Sequence, residues 1–499
     1  MSADIAIGMA MLIVMIGAIF IGIPISFTLL FLALSFGYLA LGDVVFNLAY
    51  FQTIGMMKEE LLAAVPLFIF MGFITEQAGL MERLFSAFRM VLAPIRGSLY
   101  IVVIVTSAVF AMATGIVGAA VTVLGIMAAP IMIKTGYDAK LSAGAITAGG
   151  TLGILIPPSV MLIVMGPVLG VSVADLYSAA FGPGFLLAGI YLVYLITRSF
   201  LNPKLGPPVP REERVTDLVV IAKEVVIGVL PLLLLITATL GSILAGLATP
   251  TEASGIGALG ALILAVVYRR LTYAGLKQAV VSATLTSSMA LLLAVTSNIF
   301  CAVFVRMGTA NWITDAMVSL PVPPLVMLAF VVVLIFLLGW PFEWPAIILV
   351  FLPIFYPVVD ALRPALSKSF GIPDDLFMVW FGSLVAVTMQ TAYLSPPVAM
   401  SAYYLKQVVK DWSLLTIYKG MFEFMVLQCI AITVVMFVPS IATYLPEALR
   451  TEQQAMQTEE IDDSANRLED DPLKAGQEQQ EEEDQGASLE KDQPSNPKK

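Results

Sequence analysis

Between Thr151 and Gly166 the chain runs through an almost wholly apolar stretch with two adjacent prolines, Pro157 and Pro158, at its centre. Each proline lacks an N–H and clashes with the carbonyl four residues back, so no unbroken helix passes through this pair. A stretch this apolar belongs in hydrocarbon, where an opened turn survives only if protein or a polar cavity covers the freed carbonyls. The break is therefore read as a site. A second copy follows some 240 residues later, from Met389 to Ser401, with Pro396 and Pro397 at its centre. Matching breaks in two halves of a chain point to a binding site at the bilayer midplane.

Composition supports the membrane reading. Of the 499 residues, 59% are hydrophobic and 12% charged, and the mean hydropathy is +0.93. The expected fold is an all-α polytopic membrane protein of about 10–12 transmembrane helices plus two re-entrant hairpins. The net charge of −10 is concentrated at one end, because residues 450–499 carry 15 acidic against 6 basic groups. This acidic tail, poor in aromatics, reads as a disordered and solvated segment.

The chain contains no histidine. Ser-His-Asp and Cys-His nucleophiles and His-ligated metals are thereby excluded, and no Walker-type phosphate loop occurs, so an enzyme is not expected. Cys301 and Cys429 read as buried, inert thiols. The opening residues lack the basic region of a cleavable signal, so the first apolar run reads as a retained span.

In order, Ile5–Ile21 and Ile25–Leu41 read as spans. Leu61–Ile74, interrupted by Pro66, reads as one arm of a re-entrant hairpin that turns at residues 77–79. Ile101–Ile133 is broken at residues 113–118, and a span from about Phe185 to Ile196 follows the first double proline. The basic loop 198–223 is placed in the cytoplasm by the positive-inside rule, dividing a first half (1–197) from a second half (224–449) ahead of the tail. The second half offers Val225–Leu247, Ile256–Tyr268, Ala290–Val305, Leu325–Leu338, a break at Gly339–Glu343, Ala346–Tyr356, Met378–Ser395 and Met421–Val438. Glycine-containing break, span, polar loop, span opened by Pro-Pro and final span recur in the same order in both halves. Lys134 and Lys140 precede the first Pro-Pro, whereas Lys406 and Lys410 follow the second. The two copies then cross in opposite senses and form inverted repeats, the arrangement that alternates one site between two faces.

Helices unwound at proline or glycine present backbone oxygens, which suit a hard cation such as sodium without a charged ligand. Thr114 and Thr391 add hydroxyls, although each could instead bond back to its own helix. Glu343 beside a Gly-Pro break is a functional candidate, because an ionised group at membrane depth needs a cavity or partner; an interfacial position near Trp340 and Trp344 is the alternative. Glu252 reads as part of an external turn.

The chain resembles the large membrane subunit of tripartite ATP-independent periplasmic (TRAP) transporters at Gly136-Tyr137, from Gly153 to Ser159, from Phe181 to Gly184, from Thr249 to Ala253 and from Ser395 to Val398. The resemblance implies a sodium-coupled, elevator-type importer in the bacterial inner membrane. It also implies two partners, a small four-helix membrane subunit and a periplasmic binding protein that delivers a small organic anion, often a carboxylate. No cofactor beyond the coupling ion and no nucleic acid is implied. By this likeness one ion site joins Thr114, Gly115 and Ile116 to the loop of Gly153, Ile156, Pro157, Pro158 and Ser159. Here Ile116 offers only its carbonyl where relatives have a polar side chain. The second site joins Gly339 and Glu343 to Gln390, Thr391, Ser395, Pro396 and Pro397. Sodium ligands are expected among Thr114, Gly153, Ile156, Pro158, Gly339 and Thr391. Within the transporter class the alternative is a stand-alone ion-coupled anion carrier or antiporter; a channel or membrane enzyme is the more distant rival.

Overall fold

The computed structural model describes residues 3–208, 214–215, 217–396 and 399–452. Pro397 and the acidic tail beyond residue 452 lie outside the described residues. Met1–Pro446 forms one compact unit and residues 447–499 a second. Among the described residues every regular element is helical, as expected where hydrocarbon forces each backbone N–H and C=O to find a partner within its own segment. Ten of these helices are long and apolar enough to cross a membrane.

The helices differ sharply in how much of their surface other helices cover. Ala3–Phe20 has 17% of its span buried, whereas Asp374–Leu394 has 94%. Ile13, Phe27 and Phe31 of the first two helices are 64–69% exposed, a face that fits lipid chains. At the other extreme, every residue from Leu141 to Gly166 is buried. The double-proline segment is thus wrapped in protein on all sides, which is the condition for an opened turn at membrane depth.

Several elements depart from the boundaries read along the chain. Pro66 does not interrupt its segment: Glu60–Ala63 forms a 3₁₀ turn leading into helix Ala64–Gln77. The proline sits in the first helical turn, where its missing N–H has no intrahelical acceptor to lose. The chain then turns at Gly79, φ 70°, into the amphipathic Leu80–Leu92. Helices Val44–Met57 and Thr309–Val318 have no counterpart in the sequence reading. The helix containing Ala290–Val305 runs far longer, from Tyr273 to Arg306. Thr272 caps its polar N-terminal half through Gly275 N–H, and Thr284 and Ser287 satisfy their hydroxyls on carbonyls four residues back within the helix. Val173–Leu201 likewise absorbs the mildly polar stretch before Phe185, started by the Ser172 cap.

Candidate functional site

The expected break at residues 113–118 is sharp. Helix Ser98–Thr114 ends with Gly115 in the left-handed region at φ 60°, Ile116 is extended, and a new helix begins at Val117. Glycine adopts that φ at no steric cost, so the chain bends there without a penalty. The second part of the site is the loop between helix Ala139–Thr151 and helix Val160–Leu169. After a 3₁₀ turn, Leu152–Ile154, the chain passes through a cis Pro157–Pro158 bond to an extended Ser159.

Backbone accounting explains what this loop presents. In a continuous helix the N–H of residue 157 would serve the Gly153 carbonyl and that of residue 158 the Ile154 carbonyl; proline supplies neither. Ser159 Oγ takes over the Ile154 carbonyl at 2.5 Å. The Gly153 carbonyl instead faces the other break. A methyl group built on Gly115 would lie 3.8 Å from that oxygen and 3.4 Å from the Pro158 carbonyl oxygen. Two carbonyls from one opened helix thus converge on the opened turn of another, in a region with no side-chain charge. Ile156, fully buried, packs on Gly184, where an added methyl would lie 2.8 Å from its Cγ1. Behind the turn, Gly72 of helix Ala64–Gln77 lets the Thr114 carbonyl approach, since a methyl there would sit 2.7 Å from the oxygen. Thr114 Oγ1 donates to the Phe110 carbonyl at 3.3 Å, which leaves its lone pairs available as acceptors.

The second half repeats the arrangement with different details. Helix Pro324–Leu338 ends at Gly339, Glu343 is extended, and the chain re-enters a helix at Trp344 that passes through a π-helical turn, Ile347–Phe351. Such turns interrupt the regular ladder and cluster at functional positions. Helix Asp374–Leu394 ends at Ser395, and the next helix starts at Met400 after a left-handed Ala399, φ 37°. Gly339 abuts this second helix end: a methyl on it would lie 3.2 Å from Ala392 Cβ. Thr391 Oγ1 donates to the Thr388 carbonyl at 2.7 Å, and Ser395 Oγ to the Thr391 carbonyl at 2.7 Å. Pro396 is exposed at the head of this loop.

Gln390 is the one polar side chain of this group left unsatisfied. It is fully buried, and neither its Oε1 nor its Nε2 has a hydrogen-bond partner among the described residues. A buried amide without partners costs free energy. Glu343 lines a cavity of about 480 Å³ shared with Pro24–Phe27 and with Ser288, Met289, Leu292 and Leu293. Tyr393 and Tyr404 both lie within electrostatic reach of its carboxylate. Tyr404 also packs on Gly118 just past the first break, its Cζ 3.0 Å from where a methyl would sit.

The structure thus brings Thr114, Gly115 and Ile116 against Gly153, Pro158 and Ser159, and Gly339 against the helix end that carries Gln390, Thr391 and Ser395. Gly72, Tyr393 and Tyr404 were missed by sequence reasoning, because each is defined by what it touches and none stands in a break. Glu252 closes a capping box with Thr249 at the start of helix Pro250–Val267, and Thr251 next to it donates to the Glu60 carbonyl.

The family described as "Tripartite ATP-independent periplasmic transporter, DctM component" matches residues 12–441. The sialic acid TRAP transporter large permease protein SiaM of Vibrio cholerae is 30% identical over 87% of this chain and 96% of its own length. The C4-dicarboxylate TRAP transporter large permease protein DctM of Rhodobacter capsulatus is 27% identical over 86% of this chain and 96% of its own. Among solved structures, the Alcanivorax borkumensis YdaH transporter aligns with a TM-score of 0.54 at 16% identity, covering 81% of this chain and 90% of that one. That likeness concerns the fold alone.

Proposed function

The chain belongs to the tripartite ATP-independent periplasmic transporter family as its DctM component, and from that premise we propose that it imports a small organic anion, coupled to sodium, by alternating access. It is a multi-pass inner membrane transporter subunit and not an enzyme. The observation that carries the sodium reading is the convergence of the Gly153 and Pro158 carbonyls on Gly115. A hard monovalent cation takes such an all-oxygen, uncharged donor set, with Thr114 Oγ1 and the carbonyl of Ile156 as further ligands. In the second half Gly339 and Thr391 would hold a second ion.

The substrates for which the relatives are named, sialic acid and C4-dicarboxylates, support an anionic cargo carrying a carboxylate. The buried Gln390 amide is suited to it as a neutral hydrogen-bonding group beside the ions, whose charge would offset that of the cargo. A periplasmic binding protein and a small membrane subunit complete the system. The two broken segments, one in each half at residues 1–197 and 224–449, form inverted repeats and travel together as an elevator through the lipid-facing helices.

The test is uptake of radiolabelled sialic acid and of succinate into proteoliposomes under an imposed inward sodium gradient, with and without the two partner proteins. Uptake that needs both the gradient and the partners supports the reading; equal uptake without the binding protein and small subunit overturns the tripartite assignment, and equal uptake in potassium overturns the sodium coupling.

A further inference from the structure

Among the described residues, Glu343 is the only charged group that lines the cavity of about 480 Å³ beside the second break. No lysine or arginine shares that lining, which is apolar apart from two hydroxyls, those of Ser26 and Ser288. An ionised group at membrane depth is costly unless a cavity or a partner receives it. Here the cavity receives it, and its size is that of a small-ligand pocket.

The carboxylate is not spent on its own helix. Glu343 stands, extended at φ −77° and ψ 158°, where the chain re-enters a helix at Trp344, yet its side chain makes no capping hydrogen bond. Elsewhere the chain does use acids in that way: Asp138 accepts from Leu141 N–H and Asp217 from Val219 N–H. The backbone under Glu343 is firmly held. Its carbonyl accepts from Ala346 N–H at 3.1 Å, and the neighbouring Phe342 is buried with its ring 5.1 Å from Phe351 and 6.4 Å from Phe20. Tyr393, within electrostatic reach of the carboxylate, stands three residues after Gln390 on helix Asp374–Leu394. Residues so spaced share a helix face, so the acid looks toward the helix end that carries the buried amide.

We propose that Glu343 selects a cargo that carries an ammonium group beside its carboxylates, so that the transported anion is an amino dicarboxylate. A plain dicarboxylate would bring only negative charge to a cavity whose one ionised group is itself negative, and like charges repel strongly where water is scarce. An ammonium reverses the sign. It donates a charge-assisted hydrogen bond to the carboxylate, and the Ser26 and Ser288 hydroxyls offer lone pairs to its remaining protons. This inference rests on the anion-import reading above and names the class of anion.

The test titrates the full-length chain, in nanodiscs with saturating sodium, with radiolabelled L-aspartate, succinate, L-glutamate and glutarate. The members of each pair, aspartate with succinate and glutamate with glutarate, differ by one amino group. We expect wild type to bind the amino acid of at least one pair about ten- to a hundredfold tighter than its amine-free partner, the factor carried by one charge-assisted hydrogen bond. Glu343→Gln keeps the size of the side chain and removes its charge. It should weaken the amino acid by that factor and tighten the amine-free acid, closing the gap, while Glu343→Asp should retain part of the preference. The wild-type comparison stands even where a variant yields no protein. Sodium-dependent binding of succinate or glutarate as tight as that of its amino partner overturns this selectivity and leaves anion import standing, as does a Glu343→Gln variant with the wild-type preference. A sodium midpoint that shifts in Glu343→Gln with no dicarboxylate present makes Glu343 an ion ligand and overturns the selectivity too. Binding of none of the four ligands overturns the anion reading and this selectivity with it.

Discussion

Gly115 faces the carbonyl of Pro158 so closely that a methyl group on its Cα would sit 3.4 Å from that oxygen. Two chain breaks 43 residues apart in sequence are thereby brought oxygen to backbone. Gly115→Ala would meet this oxygen and also force an L side chain into φ 60°, a cost of about 1–2 kcal/mol. Sodium activation of uptake should weaken by at least tenfold while the protein still reaches the membrane. Wild-type sodium dependence in this variant would remove the Gly115 turn from the ion site.

Thr114→Ala and Thr391→Ala each delete one hydroxyl oxygen and little volume. Both hydroxyls already spend their protons on carbonyls of their own helices, so removing them leaves no buried donor stranded. Expression and melting temperature should hold. The sodium concentration for half-maximal uptake should rise several-fold in each, and uptake against sodium concentration in proteoliposomes is the measurement.

Gln390→Leu separates function from stability. The amide is buried without a partner, so replacing it with an apolar group of similar size relieves a penalty of about 1–3 kcal/mol. The melting temperature in detergent should stay level or rise, while uptake is lost. A variant that transports normally would show the amide to be a packing residue.

Gly420→Ala tests the crossing of the last long helix with the first broken one. Its methyl would collide with backbone, at 2.1 Å from the Lys140 carbonyl and 2.9 Å from Gly144 N, and backbone cannot rotate aside as a side chain does. A loss of about 1–3 kcal/mol or more follows from overpacking of this kind, visible as poor yield and a lowered melting temperature. Gly189→Ala, where nothing lies within 4 Å, is the matched control and should be silent.

The parts of the site that can be read along the chain are those governed by local covalent chemistry. A double proline must open a helix wherever it occurs, and a glycine between two apolar runs is the cheapest place to bend one. Pro157, Pro158, Gly115 and Gly339 were legible for this reason. Helix Val44–Met57 was not, because Asn47, Gln52 and Thr53 dilute its apolar run and only the packed structure fixes it as a helix; Gln52, for instance, accepts from Asn298 Nδ2 at 2.9 Å. The roles of Gly72 and Tyr404 were illegible in a stronger sense. Each depends on a neighbour far along the chain, and no local pattern of residue types marks a pairing that exists only after folding.

Tyr404, from the helix that follows the second double proline, rests its ring on Gly118, just past the first break. The two broken regions therefore share a wall. Whatever orders one of them restricts the other, so binding free energy spent at one is partly recovered at the other. On the sodium reading proposed above, occupancy of the two sites is expected to be cooperative, with ions loading and leaving as a set; uptake plotted against sodium concentration should then rise with a Hill coefficient above one, and a coefficient of one would rule this coupling out. A partly filled carrier would then be a rare species, which would limit the leak of ions without cargo.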